Sequence, residues 1–377
     1  MIEQFTVESF KSIQSAKLDL GQVNLFIGAN GSGKSNLLEA LAVLSAAAGG
    51  KVDLPSLLWR GCRPSGYFQP MFRGSDQDAS TRLRASDASA FYDVTLKPSP
   101  ALRPQAWTYL EEHWPDQTHQ RDCNSEPHTG LAALSLAMAG TAGPTAGFLK
   151  SLAEFCIYSA ETRMLQGRSE DSQARQPVGL GGGNLIQAIQ DLLSQNRDAL
   201  ETEFGECVDW FGELVIIDSR APSWRHLELG FVDRHLRSEG KYQFLLNESE
   251  VNEGALYLAF LAVLGLHPDA PEVFAVENVD HGLNPLLAKR LMTTLTSRIL
   301  SSERKRQVFL TTHNPLVLDG LPLGDDRVRL FTVDRDNKGR TVVRRFIITD
   351  KQREMAAQGW TLSRMWVNKL IGGVPDV

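Results

Sequence analysis

The run GANGSGKS, Gly28 to Ser35, has the spacing G-x-x-x-x-G-K-[ST], that of a loop which wraps phosphate groups. Glycines at Gly28, Gly31 and Gly33 let backbone N–H groups turn inward, and a following helix adds the partial positive charge of its N-terminus. Lys34 is placed to reach the β and γ phosphates, and the Ser35 hydroxyl to ligate Mg²⁺. A carboxylate at the end of a neighbouring strand is needed on the metal side, and PEVFAVENVDHGLNP supplies one: four apolar residues, Val273 to Val276, then Glu277. The next position ordinarily holds the general base that polarises the attacking water. Here it is Asn278, which cannot accept a proton, so slow hydrolysis is expected. Asp280 and His281 stand as geometric substitutes, with a surface role an equal reading of both. Farther on, QVFLTT delivers His313 to a strand end, where α/β sheets gather ligand groups. It is expected to bond a γ-phosphate or the lytic water.

These residues need elements that position them. The loop follows the apolar strand VNLFI and precedes SNLLEALAVLSAAA, which carries leucine and alanine at helical spacing. VNEGALYLAFLAVLGL reads as a helix opened by Asn252, Glu253 and Gly254, a capping and turn element. Then come the strand PEVFAVEN, the helix NPLLAKRLMTTLTSRILSS, the strand RQVFLTTH, and a hairpin turning at DNKG, Asp336 to Gly339. Strands alternating with helices imply a largely parallel sheet covered on both faces. Residues 49–99 read as loops and short strands, 100–220 as an inserted, mostly helical lobe that includes FLKSLAEFCIYSA, and 351–377 as a helical tail. The nucleotide core is expected at 1–60 and 245–350 of a single domain.

The chain has 377 residues, 42% of them hydrophobic, with a net charge of −6, which excludes disorder and bulk charge-driven coating of nucleic acid. The longest nearly unbroken apolar run, Gly254 to Leu266, is shorter than the roughly 18–20 residues of a membrane span. With no secretory signal at the N-terminus, the expected location is the cytosol and no membrane partner is expected. Cys62, Cys123, Cys156 and Cys207 are too dispersed for a metal knuckle and read as free thiols. The clusters Arg304 to Arg306 and Arg327 to Arg329 read as solvated faces before they read as nucleic-acid surfaces. WRGCRPSGYFQPMF, from Trp59, reads as a loop packing on its own domain before it reads as a base-stacking surface.

In order, FKSI at Phe10 to Ile13, GANGSGKSNLLEAL, VNEGALYLAFLA, VFAVENVDHGLNP and VFLTTHNPLVLDGL resemble the ABC-class ATPase heads of the RecF, SMC and OLD group. The similarity extends to short bacterial "AAA family ATPase" proteins, several encoded in anti-phage defence or toxin–antitoxin-like operons. The resemblance implies a P-loop ABC-ATPase head with a mostly parallel sheet, N-terminal antiparallel strands and an inserted lobe, and ATP and Mg²⁺ as ligands. It makes Gly28 to Asn36 the Walker A motif, Glu277 and Asn278 the end of Walker B, Asn252, Glu253 and Gly254 the signature, and His313 the switch histidine. It also implies a homodimer, or an assembly of dimers, with ATP between Walker A of one copy and the signature of the other. The chain departs from the family at Asn252, Glu277 and Asn278, where serine, aspartate and glutamate are usual, and this favours a slow switch over a motor. The Q-loop glutamine has two candidates, Gln69 and Gln77. No TOPRIM-like acidic cluster follows His313, so a nuclease or toxin effector is expected on another polypeptide. The alternatives are a RecF-like clamp on DNA and a scaffold holding ATP without hydrolysis. A GTPase is disfavoured because Asn368 and Lys369 lack the following aspartate of NKxD.

Overall fold

The structure, a computed structural model, describes the chain apart from residues 64–70, 77–78, 99–106, 116, 121–127, 135–142, 172, 174, 222–223, 237–244 and 375–377. It divides into two compact units, Met1–Ile157 with Pro271–Val279 and Ile299–Val377, and Tyr158–Ala270 with Asp280–Arg298.

The first unit is built on two sheets. One is antiparallel, with β1 (Gln4–Phe10), β2 (Ile13–Asp19), β4 (Thr81–Ser86), β5 (Phe91–Pro98), β6 (Trp107–Trp114) and β7 (Gln117–Gln120) in the order β2-β1-β4-β5-β6-β7. The other contains β3 (Val23–Ile27), β8 (Cys156–Tyr158), β12 (Val273–Val276), β13 (Gln307–Thr312), β14 (Val328–Arg335) and β15 (Thr341–Phe346) in the order β15-β14-β3-β13-β12-β8. Its β14/β3, β3/β13 and β13/β12 pairs are parallel, and only the hairpin partner β15 is known to run against its neighbour. All five residues of β3 are buried, and all four of β12, which is why both read as continuous apolar runs rather than as alternating ones.

The helix Lys34–Ala48 joins the core of both sheets. Phe5, Val7, Phe10, Leu83, Tyr92 and Val94 of the antiparallel sheet belong to one buried cluster with Phe26, Phe309, Phe331 and Val333 of the parallel one, and with the helix residues Leu37 to Ala48. A helix covered on all sides needs small and apolar residues all round, which explains the alanine-rich LLEALAVLSAAA. The rings of Phe26 and Phe331 stack at 5.1 Å beneath it. Each large core side chain of this kind contributes about 1.5–3 kcal/mol by leaving water.

The stretch 100–220 differs from the helical lobe expected of it. WTYLEEHW is strand β6, because Trp107 and Tyr109 alternate inward against polar neighbours, and it lengthens the antiparallel sheet of the first unit. In FLKSLAEFCIYSA the helix Pro144–Ala153 stops before Phe155, and CIY is the fully buried strand β8. A short apolar run of this kind has no periodicity by which strand and helix differ.

The second unit holds the helices Leu185–Cys207 and Glu253–Leu266 and the antiparallel strands β9 (Phe211–Ala221), β10 (Trp224–Asp233) and β11 (Leu245–Asn247). Phe204 meets the rings of Phe211 and Phe231 at 4.6 and 5.8 Å, which seats the first helix on this sheet. The glycines of GLGGGN let backbone N–H groups close on the Asp171 carboxylate, with Gly181 N at 2.8 Å and Gln173 N at 3.0 Å. Among the described residues no helix is long and apolar enough to cross a membrane. Cys62, Cys156 and Cys207 form no disulfide among the described residues.

Candidate functional site

Parallel strands end on one edge of their sheet, and register decides which ends meet. Ile27 pairs with Thr312, so Gly28 and His313 leave the sheet level with each other. Val276 pairs with Leu310, so Glu277 and Asn278 emerge one strand farther along. A cleft of about 400 Å³ lies at this edge, lined by Asn30, Gly31, Gly33, Lys34, Ser35, Asn36, Arg63, Glu277, Asn278, Thr311, His313 and Arg335. Every one of these belongs to the first unit.

The loop has the conformations its glycines allow. Gly31 has φ +75° and Gly33, which caps the helix Lys34–Ala48, has φ +111°, both unfavourable for side chains. A Cβ on Gly33 would lie 2.0 Å from Thr341 Oγ1, whereas one on Gly31 would meet nothing within 4 Å. Thr341 donates to Ser32 O at 2.9 Å and bonds Ser12 Oγ at 2.7 Å, and Asn36 Nδ2 donates to Ser12 Oγ at 2.6 Å. Ser12 of FKSI therefore ties the loop, its helix and the β14–β15 hairpin together. Lys11 of the same motif forms a buried ion pair with Glu39, which also holds Arg63 at 2.9 Å. That bond raises the Arg63 pKa above its ordinary value, with a further contribution from the charge of Glu277. Gly33→Ala combines a forbidden φ with a backbone-adjacent clash. It is expected to cost about 2–5 kcal/mol, read as a lowered melting temperature, together with loss of nucleotide binding.

Lys34 is buried and donates to Gly28 O at 2.7 Å and Ala29 O at 2.9 Å, with His313 Nδ1 at 3.1 Å. His313 Nδ1 also lies 3.2 Å from Gly28 O, so the ring meets both the ammonium of Lys34 and a carbonyl of the loop. Phosphate oxygens would replace the carbonyl acceptors of Lys34 with stronger, charged ones. The residues suit a nucleotide in one further respect: Ser32 Oγ is buried within the loop with no hydrogen-bond partner among the described residues. Ser35 and Glu277 are oxygen donors on this cleft of the kind Mg²⁺ takes, one or two from protein and the rest from phosphate and water. Asn278 has φ +51°, a left-handed conformation that Asn tolerates, and its backbone N–H is held by Thr311 Oγ1 at 3.0 Å.

The signature candidates lie in the second unit. Asn252 caps the helix Glu253–Leu266 by accepting from Ala255 N at 2.9 Å, which commits its oxygen and leaves its amide to donate elsewhere. Glu253 accepts from the Thr162 hydroxyl and lies 3.0 Å from His281 Nε2. His281 is engaged there, edge-on to Tyr257, and Asp280 acts with burial to raise the Tyr257 pKa. Neither Asp280 nor His281 lines the cleft of the first unit. Gln69 and Gln77 lie outside the described residues, as do Tyr67 and Phe68 of the aromatic loop. Sequence reasoning missed Arg335, a lone arginine with no local motif around it, and read Arg63 only as part of the loop that begins at Trp59.

Comparison with known proteins adds the context. Residues 157–319 match the family described as "AAA domain, putative AbiEii toxin, Type IV TA system", and residues 1–90 match one described as "AAA ATPase domain". The chain is similar to an uncharacterized protein of Methanocaldococcus jannaschii, 32% identical over 26% of this chain and 48% of that protein. It is also similar to the DNA replication and repair protein RecF of Renibacterium salmoninarum, 39% identical over 22% of this chain and 20% of that one. Two SMC head structures share the fold. One, bound to the C-winged helix domain of ScpA, has TM-score 0.53 at 13% identity and covers 92% of this chain and 98% of that one. The other, with an extended coiled coil and bound to a ScpA C-terminal domain, derives from Pyrococcus furiosus. It has TM-score 0.50 at 13% identity and covers 95% and 99%. Two stretches of the chain, residues 1–90 and 157–319, thus match ATPase families, and the chain has the fold of an SMC head. Its matches span less than half the length of both curated relatives. In this head the α/β fold, the parallel core sheet and the N-terminal antiparallel strands are those expected from its motifs.

Proposed function

We propose that the chain binds ATP with Mg²⁺, hydrolyses it slowly, and closes into a homodimer around the nucleotide, acting as a cytoplasmic switch on a separately encoded nuclease or toxin in anti-phage defence. The observation that carries the reading is the cleft itself: Lys34, Ser35, Glu277 and His313 face one space, and the residue beside Glu277 is Asn278. Lys34 neutralises the β and γ phosphates, and His313, beside Lys34 on the cleft, bonds the γ-phosphate. Ser35 and Glu277 would hold Mg²⁺, which when bound neutralises charge on the β and γ oxygens. Asn278 orients a water through its amide and takes no proton, which removes about 10²–10⁴ of the rate that a general base supplies.

Closure places Asn252, Glu253 and Gly254 of one copy against the P-loop of the other. Asn252→Ala is expected to leave ATP affinity within about threefold and to abolish ATP-driven association. Equilibrium binding of a fluorescent ATP analogue beside sedimentation velocity checks both, and association retained by the variant contradicts the arrangement. The effector reading draws on the toxin–antitoxin description of the matching family, and on the ScpA-bound state of the two SMC heads.

The similarity to RecF favours a second reading, an ATP-gated clamp on duplex DNA, in which Arg304, Arg327 and Arg329 meet phosphates, Arg306 being buried. Affinity for DNA that depends on ATP and falls steeply between 50 and 200 mM salt distinguishes it from the effector switch.

A further inference from the structure

The cleft carries two arginines, and they are held differently. Arg63 is tethered to Glu39 and feels the charge of Glu277, so it belongs to the metal end. Arg335 lines the same cleft, and its side chain makes no hydrogen bond or ion pair with any described residue. Its position follows from the sheet. Thr332 of β14 pairs with Ile27 of β3, the last residue before the P-loop, and β14 runs on to Arg335, which lines the cleft together with Asn30. Strand order puts β14 on one side of β3 and β13 and β12 on the other, so Arg335 flanks the loop on the side away from His313 and Glu277. Side chains alternate along a strand, and Phe331 and Val333 are buried in the core that contains the helix Lys34–Ala48. Arg335 continues that row past the end of the core.

We propose that Arg335 packs its guanidinium plane on the base of the bound nucleotide. The proposal rests on the reading of the cleft as an ATP site. If Ser35, Glu277 and His313 fix the γ-phosphate end, the nucleoside leaves the P-loop on the opposite side, where Arg335 stands. A guanidinium is flat, weakly hydrated and permanently charged, which suits it to stacking on an aromatic base, whereas an ammonium has no plane to offer.

Calorimetric titration in Mg²⁺ of the intact chain, Arg335→Ala and Arg335→Lys with ATP, ADP and inorganic tripolyphosphate tests this. Both variants are expected to bind ATP and ADP about tenfold more weakly than the unchanged chain and to bind tripolyphosphate equally well. Equal weakening of ATP and tripolyphosphate, or recovery by lysine, makes Arg335 a phosphate contact and overturns the proposal. Unchanged ATP affinity in Arg335→Ala overturns it also. An unmodified chain that binds no ATP is a different outcome, seen before any variant is made, and it removes the underlying reading and this one together.

Discussion

Lys34→Ala is expected to weaken ATP binding at least about 100-fold, because charge-assisted hydrogen bonds to phosphate are worth about 1.5–3 kcal/mol each and 1.4 kcal/mol is a factor of ten. The variant also loses the bonds to Gly28 O and Ala29 O, so a folding control is needed. Those acceptors belong to a loop that Thr341, Ser12 and Asn36 hold independently of Lys34. The melting temperature without nucleotide should therefore move far less than the affinity. Isothermal titration beside a thermal melt separates the two, and a variant that melts normally and still binds ATP contradicts the assignment of the cleft.

Asn278→Glu is expected to raise phosphate release by about 10- to 100-fold, since it restores a proton acceptor next to Glu277. The gain has a structural cost. Asn278 has φ +51°, and a longer side chain without the local hydrogen bonding of Asn is disfavoured there by about 1–2 kcal/mol. The variant should thus be faster and slightly less stable, a combination that a general loosening of the fold does not produce. Single-turnover phosphate release with a melting curve reads both. If the folded variant binds ATP and turns it over no faster, the missing carboxylate is not what limits the chain.

Much of this site was legible in the amino-acid sequence, for a local reason. The P-loop depends on glycines at fixed offsets between a strand and a helix, and Gly33 shows why: its φ and its approach to Thr341 admit no Cβ. Glu277 and His313 were legible because each ends a short apolar strand, and the parallel register of β12 and β13 with β3 then brings them together. FKSI was recognisable as a motif, but its work, the bond from Ser12 to Thr341 and Asn36 and the pairing of Lys11 with Glu39, spans distances that no spacing rule covers. Arg335 was missed for the same reason, since what brings it to the cleft is the pairing of β14 with β3. The strand β8 was hidden because its partner β12 lies far off in the chain. Short apolar runs take the conformation that their neighbours in space impose.

The central claim is that ATP closes two copies of this head around itself. The most direct measurement is light scattering on the eluting peak of a size-exclusion column, run with and without ATP and Mg²⁺ for the unchanged chain and for Lys34→Ala, with phosphate release followed in the same samples. The account predicts a shift to twice the mass, or an even multiple of it, only for the unchanged chain with ATP and Mg²⁺, accompanied by slow release that the variant lacks. A mass that ATP does not alter, with no phosphate released, contradicts it.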